Sequence, residues 1–258
     1  MSRLMYISNL GKQIQYIEQA VATYPELIQG EVDICNMKKQ PLWDKDFESR
    51  LRAADVVLVT NMGVGLDSPF LERLERWLYA HHPKYWIDVV EPKKTDILYR
   101  NIDEDKRILL ESYRRTSGIM NYVRLINGAF STKPTSEWEE PDPIPWQAVM
   151  GREGNIYETY DEFMEAEGHR DWPSIAVYFY RDEWIMGDIE YQQALFEEIY
   201  KHQYNPIIFY GQYGSNPRVG IPNMKLSMNH LFGKDEFPFD VLINTCKFSF
   251  QSLGAQTL

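Results

Sequence analysis

Residues 172–210 read WPSIAVYFYRDEWIMGDIEYQQALFEEIYKHQYNPIIFY, a stretch that predicts a strand, a polar loop, a helix and a second strand. Ser174–Tyr180 is a short β-rich run, and Ile207–Tyr210 is a second candidate for a buried strand. Between them, residues at helical spacing predict one apolar helix face, made of Tyr191, Leu195, Phe196 and Ile199. Asp188 precedes this helix and is expected to cap it. The stretch therefore predicts a βαβ crossover.

The loop after the first predicted strand, residues 181–188, is the best candidate for a functional site. A βαβ crossover places this loop at the carboxyl edge of a parallel sheet, where open α/β folds bind ligands. The loop contains Arg181, Trp184 and Asp188, which suit a polar and aromatic rim beside a flat acidic ligand. A structural interpretation is equally open, in which Arg181 pairs with a carboxylate and Trp184 packs on the sheet edge.

The first part of the chain repeats the alternation of strands and helices. Buried-strand patterns cover residues 4–7, 32–35, 55–60 and 85–90, with helical patterns between them and again over residues 103–129, broken near Ser117-Gly118. Such alternation implies a parallel sheet covered by helices on both faces. We therefore predict the α/β class, with two doubly wound, Rossmann- or flavodoxin-like domains and mainly parallel sheets.

The predicted domain organisation has three parts. Residues 1–130 form an N-terminal α/β domain, and residues 131–145 (STKPTSEWEEPDPIP) form an acidic, Pro-rich linker. Residues 146–258 form a second α/β domain. Few residues follow its last strand pattern, Phe239–Thr245, so the sequence is expected to be the N-terminal fragment of a longer protein, with this domain truncated.

Composition excludes several classes of protein. The net charge of -11, without a basic stripe, argues against a nucleic-acid partner. Two cysteines, Cys35 and Cys246, are too few for a disulfide framework and fit a reducing compartment. No run of about 20 apolar residues indicates a membrane span. We expect a soluble, cytoplasmic protein.

Common catalytic signatures are missing from the sequence. Residues 61–65 (NMGVG) follow a strand but lack the third glycine of a dinucleotide loop and the ending of a P-loop, so a structural turn is favoured. The neighbours His81 and His82 point about 100° apart on one helix and could not easily share a metal. No nucleophile elbow or Cys–His pair is present, and no catalytic residue or metal ligand is predicted.

Four segments in order resemble the N-terminal region of the cobaltochelatase large subunit (CobN) and the magnesium-chelatase H subunit. They are YRRTSGIMNYVRLI at residues 113–126, GNIY at 154–157, the βαβ unit at 175–209 and FDVLIN at 239–244. Arg181, Trp184, Gly187 and Asp188 stand in register with the family's pattern. Two departures are visible: Ser117 stands where a first glycine is usual, and Glu158-Thr159 stand where His-Pro would be.

The resemblance implies the N-terminal part of a large subunit that binds a tetrapyrrole macrocycle and receives Co²⁺ or Mg²⁺ as the substrate metal. ATP would be hydrolysed by separate AAA+ partner subunits. Arg181, Trp184 and Asp188 are then candidate substrate-binding positions along the macrocycle cleft, and no catalytic residue is carried over. The chain alone is expected to be inactive.

Two alternatives stay open. The chain could be a non-catalytic α/β module that binds a small ligand or docks on partner subunits, as its acidic composition and missing catalytic signatures favour. A free-standing α/β enzyme with a site at residues 61–65 is a weaker alternative.

Overall fold

Runs of branched aliphatic residues form the strands of two separate sheets. The computed structural model describes residues 2–38, 43–61, 69–81, 84–89, 102–211, 220–233 and 237–246. The chain divides into two units, Met1–Pro143 and Ile144–Leu258. Residues 62–65 of the predicted NMGVG loop, and His82, lie outside the described residues.

The first unit alternates strands and helices from its start. Its strands are β1 (Arg3–Ser8), β2 (Glu31–Asn36), β3 (Val56–Asn61) and β4 (Tyr85–Val89). Its helices are α1 (Gly11–Thr23), α2 (Lys45–Ala53), α3 (Pro69–His81), α4 (Glu104–Thr116) and α5 (Ile119–Phe130). The sheet order is β2-β1-β3-β4 and all described pairs are parallel, so the predicted fold class is confirmed for this unit.

Helices cover both faces of this sheet. Met5 and Ile7 of β1 share a core cluster with Phe47 of α2 and Leu74 of α3. Tyr6, which points to the opposite face, donates its hydroxyl hydrogen bond to Gln13 of α1 at 2.9 Å. On that side α1 packs on α5 through two stacked tyrosine rings, Tyr16 and Tyr122, whose centroids lie 5.0 Å apart.

Residues 131–143, expected to be a linker, lie within the first unit. Trp138 packs so closely on α5 that a Cβ added to Gly128 would lie 2.8 Å from the indole ring. The Lys106 ammonium of α4 donates to the carbonyls of Ala129 and Ser131 and lies 5.5 Å from the Trp138 ring centroid. Burial lowers the pKa of Lys106. The domain boundaries at 130 and 146 stay a prediction.

The second unit contains the predicted βαβ stretch. Its strands are β5 (Ala148–Met150), β6 (Ile156–Tyr157), β7 (Ser174–Phe179), β8 (Asn205–Tyr210) and β9 (Val241–Asn244). Its helices are α6 (Tyr160–Ala166), α7 (Arg181–Ile185), α8 (Glu190–Lys201) and α9 (Met224–Phe232). β5, β6, α7 and α9 were not predicted, because each is short or weakly periodic.

This second sheet is mainly parallel, with an antiparallel edge. The strand order is β6-β5-β8-β7-β9. β7 pairs in parallel with β8 and β9, whereas β5 pairs antiparallel with β8 and β6. Both faces are covered: Phe232 of α9 packs on Phe209 and Trp184 of α7 packs on Tyr210, two successive strand residues that point to opposite faces. The prediction of an α/β fold with mainly parallel sheets is confirmed here too.

The loop that leads into β7 is held by one buried amide. The Asn205 side chain accepts from the His169 N–H and donates to the carbonyls of His169 and Trp172, with all three distances between 2.8 and 2.9 Å. It therefore satisfies main-chain groups that no strand partner reaches.

Candidate functional site

The carboxyl edge of the second sheet contains the predicted site. From β7 the chain crosses to β8 on one side and then reaches β9 on the other side of β7. Strand order therefore reverses between β7 and β9, which is where open α/β sheets form a ligand crevice. Tyr180, Gly211 and Thr245 directly follow these three strands and lie at the position where such a crevice is expected.

Two local predictions about residues 181–188 are wrong. The segment is not a plain loop, because Arg181–Ile185 forms the short helix α7. Asp188 does not cap α8, since Ile189 holds the N-cap position without a side-chain hydrogen bond. A turn separates the two helices, in which the Asp188 N–H donates to the Glu183 carbonyl and Gly187 adopts a φ of +71°. A glycine suits this left-handed position because it has no Cβ.

Arg181 lies at the start of α7 and is only 4 % exposed. Its Nε donates to the Pro145 carbonyl at 2.7 Å, and an Nη donates to the Ile144 carbonyl at 3.0 Å. Its guanidinium carbon lies 4.4 Å from the Trp146 ring centroid, a cation–π distance. These three groups around Arg181 are two main-chain carbonyls and an aromatic ring, where the structural interpretation had expected a carboxylate.

Trp184 of α7 packs on the sheet and on the GNIY segment. Its ring stacks on Tyr210 with centroids 5.6 Å apart, and its Nε1 donates to the Gly154 carbonyl at 3.1 Å. Gly154 has a φ of +81°, and a Cβ there would lie 2.7 Å from Ile189. The structure thus brings Trp184 together with the glycine of the GNIY segment, while the Asp188 side chain is exposed.

A polar network in the crevice was missed by the sequence analysis. The Glu183 carboxylate accepts from the Tyr191 hydroxyl and from the Gln192 amide, each at 2.8 Å. Tyr191 is also within 3.1 Å of the Thr245 hydroxyl, which donates to the Tyr178 carbonyl. Burial raises the pKa of Tyr191, with Glu183 adding to the shift. The network ties the segments after β7 and β9 to the first turn of α8.

The inward side of α8 matches the predicted apolar face at Leu195, Phe196 and Ile199, but it differs at the first turn. Tyr191 was assigned to the apolar face but is 41 % exposed, whereas the polar Gln192 is fully buried. Among the described residues, Gln192 Oε1 and the Tyr210 hydroxyl are buried without a hydrogen-bond partner. Buried polar atoms of this kind leave capacity for a donor from a ligand or water. Apolar spacing predicts which hydrophobic residues of a helix are buried but carries no information about a buried amide, so the burial of Gln192 was not predicted.

The segment at residues 113–126 forms a second, separate cluster in the first unit. The Tyr113 hydroxyl donates to the Glu139 carbonyl, and burial raises the pKa of Tyr113 to about 12. Asn121 donates to the Asp142 carbonyl at 3.2 Å and accepts from the Asp142 N–H at 2.8 Å. Ser117 has φ 66° and ψ −168°, a conformation for which glycine is strongly preferred.

An open cleft of about 480 Å³ lies in the second unit, apart from the predicted residues. Its lining includes Arg152, Glu167, His169 and Tyr200. Arg152 pairs with Glu197, and Glu167 accepts from the Tyr157 hydroxyl, so charged groups of both signs are held in place. The sequence gave no indication of this cleft, because its walls come from three separate segments.

Metal-binding and nucleophilic groups are sparse in the described part of the chain. No cluster of three His, Cys, Asp or Glu side chains suited to a metal ion is found there. Burial raises the pKa of Cys35 to about 11 and that of Cys246 to about 12, so both thiols stay protonated at neutral pH. Among the same residues, no helix is long and apolar enough to cross a bilayer.

Fold and site together define an α/β protein in which each sheet contains three parallel strands in the order second–first–third. The chain belongs to the CobN/Magnesium Chelatase family, whose model matches residues 111–257, more than half of the chain. This match begins within the helix pair that contains YRRTSGIMNYVRLI and spans the second unit apart from its last residue. The resemblance inferred from the four segments is confirmed.

Two relatives show how small a part of such proteins the chain spans. An uncharacterised protein of Methanocaldococcus jannaschii, MJ0908, is 29% identical over 165 residues, which are 61% of this chain and 13% of that protein. The catalytic subunit of cobaltochelatase from Mycobacterium tuberculosis aligns with a TM-score of 0.48 and 15% identity, covering 84% of this chain and 17% of that one. The chain thus spans less than a fifth of either relative.

Proposed function

We propose that this sequence is the N-terminal region of a tetrapyrrole-binding large subunit in an ATP-dependent metal chelatase. The family match over residues 111–257 is the observation that carries the proposal. The substrates would be a macrocycle and either Co²⁺, for a corrinoid precursor, or Mg²⁺, for protoporphyrin. Separate AAA+ subunits would hydrolyse ATP, and the reaction would be a cytoplasmic metal–nitrogen ligation in cobalamin or porphyrin biosynthesis.

Within such a subunit, the crevice at the carboxyl edge of the second sheet is our candidate for a wall of the macrocycle site. An aromatic ring, Trp184, and an exposed carboxylate, Asp188, lie beside it. The Tyr180 ring, 37 % exposed, adds a second apolar surface. Aromatic faces of this kind stack on flat conjugated rings. Arg181 would support this wall indirectly, because its side chain is buried and donates to main-chain carbonyls.

An absorbance titration tests whether the macrocycle binds within these residues. The folded protein is titrated with a hydrogenobyrinic-acid-type ring and, separately, with protoporphyrin, and we expect a saturable spectral shift with one of them. Trp184→Phe and Asp188→Asn should weaken this binding several-fold, whereas the exposed control Asp171→Asn should leave it unchanged. A folded sample that shifts neither spectrum contradicts a macrocycle site in this chain. Parent-like affinity of both variants would assign Trp184 and Asp188 to structure.

A second candidate is a non-catalytic module that docks on the partner subunits. The net charge of -11 favours this role, because an acidic surface attracts a basic partner. Affinity for a purified AAA+ subunit should then fall as ionic strength rises. Binding that is insensitive to salt would count against an electrostatic docking surface.

A further inference from the structure

The segment from Glu139 to Trp146 cannot satisfy the hydrogen-bonding groups of its own main chain. It reads EEPDPIPW, with prolines at 141, 143 and 145 that lack an N–H group. It belongs to no described helix or strand. Its carbonyls therefore depend on donors supplied by other parts of the chain or by water.

In the first unit, those donors come from residues of the family-like segment at 113–126. Tyr113 donates its hydroxyl to the Glu139 carbonyl. The Asn121 amide pairs with Asp142 in both directions, as a neighbouring strand would do, and also donates to the Ser117 carbonyl at 2.8 Å. Asn121 is 1 % exposed, so both its donor and its acceptor atoms are used inside the protein.

In the second unit, the donor is Arg181. Its planar fork reaches two successive carbonyls, those of Ile144 and Pro145, while its face covers the Trp146 ring. A lysine has a single point of donation and cannot reproduce this geometry. Two residues further on, β5 begins, and Ala148 pairs with Tyr210 at the carboxyl edge of the sheet. Arg181 therefore fixes the chain where it enters that edge.

We propose that Tyr113, Asn121 and Arg181 are positioning residues that recognise the main chain of residues 139–146. Each unit anchors its own part of the segment: Tyr113 and Asn121 hold 139–142, and Arg181 holds 144–146. The family-like side chains at these positions then act on an extended, proline-containing stretch of the same chain, and Arg181 makes no direct contact with the macrocycle. The proposal does not depend on the identity of the macrocycle or metal.

Limited proteolysis of the intact chain tests the two anchors separately. A Glu-specific protease reports on the Glu139–Glu140 bond, because the bond after Glu140 precedes a proline and resists cleavage. Chymotrypsin reports on Trp146, and fragments are identified by mass. Cleavage of a transiently released segment follows the population of the released state. Losing a hydrogen bond to a charged donor should raise cleavage at Trp146 by about tenfold in Arg181→Lys. Losing one neutral hydrogen bond in Tyr113→Phe should raise cleavage at Glu139 by roughly three- to tenfold.

The matched controls are Arg170→Lys and Tyr79→Phe, both at exposed positions. Each anchor variant should affect its own site only, which a general loss of stability would not do. If Arg181→Lys loses its circular dichroism, Tyr113→Phe carries the test.

Parent-like cleavage in folded Arg181→Lys and Tyr113→Phe overturns the proposal. It is also overturned if Arg181→Lys weakens the macrocycle titration while cleavage at Trp146 stays unchanged, because that result assigns Arg181 to ligand contact. The titration of the parent protein tests the chelatase function separately.

Discussion

The two units share one arrangement of parallel strands but have different side chains at the carboxyl edges of their sheets. In both, three parallel strands follow the order second–first–third, as β2-β1-β3 and as β8-β7-β9. At the carboxyl edge of the first sheet, small polar residues are buried, including Ser8, Thr60 and Asn61. At the corresponding edge of the second sheet, large aromatic rings and the Glu183 network stand instead.

Strand order therefore sets where a crevice can form, while side chains set what it can hold. The first edge offers hydroxyl and amide groups, and the second offers ring faces and a carboxylate. Only the second unit lies wholly within the family match, apart from its last residue. Both differences support the proposal that the macrocycle wall lies in the second unit.

The largest expected effect is the loss of stability when a buried ring is removed from the core of one unit. Phe196→Ala removes a ring that is 1 % exposed, and Phe47→Ala removes a fully buried one, so each should lower the free energy of unfolding by about 3–5 kcal/mol. Hydrogen exchange should accelerate in residues 148–210 for Phe196→Ala and in residues 3–61 for Phe47→Ala. If either variant accelerates hydrogen exchange equally in both units, the two units unfold together and this prediction is contradicted.

Ion pairing should differ between the units in a pH-dependent way. Asp33 accepts from Arg50 at 2.6 Å and from Arg3 at 3.1 Å, and the Arg50 hydrogen bond holds its pKa below the usual range. Since the folded pKa is depressed, this stability is present above the unfolded value of about 3.9 and is lost as pH falls through the folded value. Asp33→Asn should cost about 1–2 kcal/mol at pH 7.

Urea unfolding at several pH values measures this effect. The difference between parent and Asp33→Asn should shrink below about pH 4. The control is Glu197→Gln in the second unit, whose partner Arg152 is largely solvated, and it should change stability by less than about 0.5 kcal/mol. A difference for Asp33→Asn that persists to pH 2 would contradict the assigned cause.

The smallest effect concerns backbone strain at the turn between α4 and α5. Ser117 occupies a conformation that costs a non-glycine residue about 1–3 kcal/mol, and glycine adds an entropic cost of about 0.5–1 kcal/mol. Ser117→Gly should therefore stabilise the first unit by about 1 kcal/mol, measured as a higher Tm. Ser131→Gly is the control, because Ser131 has an ordinary φ of −60° and glycine should destabilise there. A lower Tm for Ser117→Gly would mean that its hydroxyl outweighs the strain.

The fold class, the positions of most helices and strands, and the family could all be predicted from the residues along the chain. Strand and helix periodicities are local, so β7, β8 and the start of α4 could be read from a few neighbouring residues. The family resemblance depended on the order of short segments, and it needed no contact between them. The position of the candidate site could also be predicted, because a parallel crossover fixes where its first loop lies.

The contacts of the site residues could not be predicted before the chain was folded. Arg181, Asn121 and Trp184 find partners separated from them by 36, 21 and 30 residues, respectively. Those partners are carbonyl oxygens, which every residue carries and no sequence pattern marks. The burial of Gln192 beside exposed Tyr191 likewise depends on the packing of α8 against the crevice. Side-chain types can be read along a chain, but main-chain acceptors are selected only when the fold brings them within hydrogen-bonding distance.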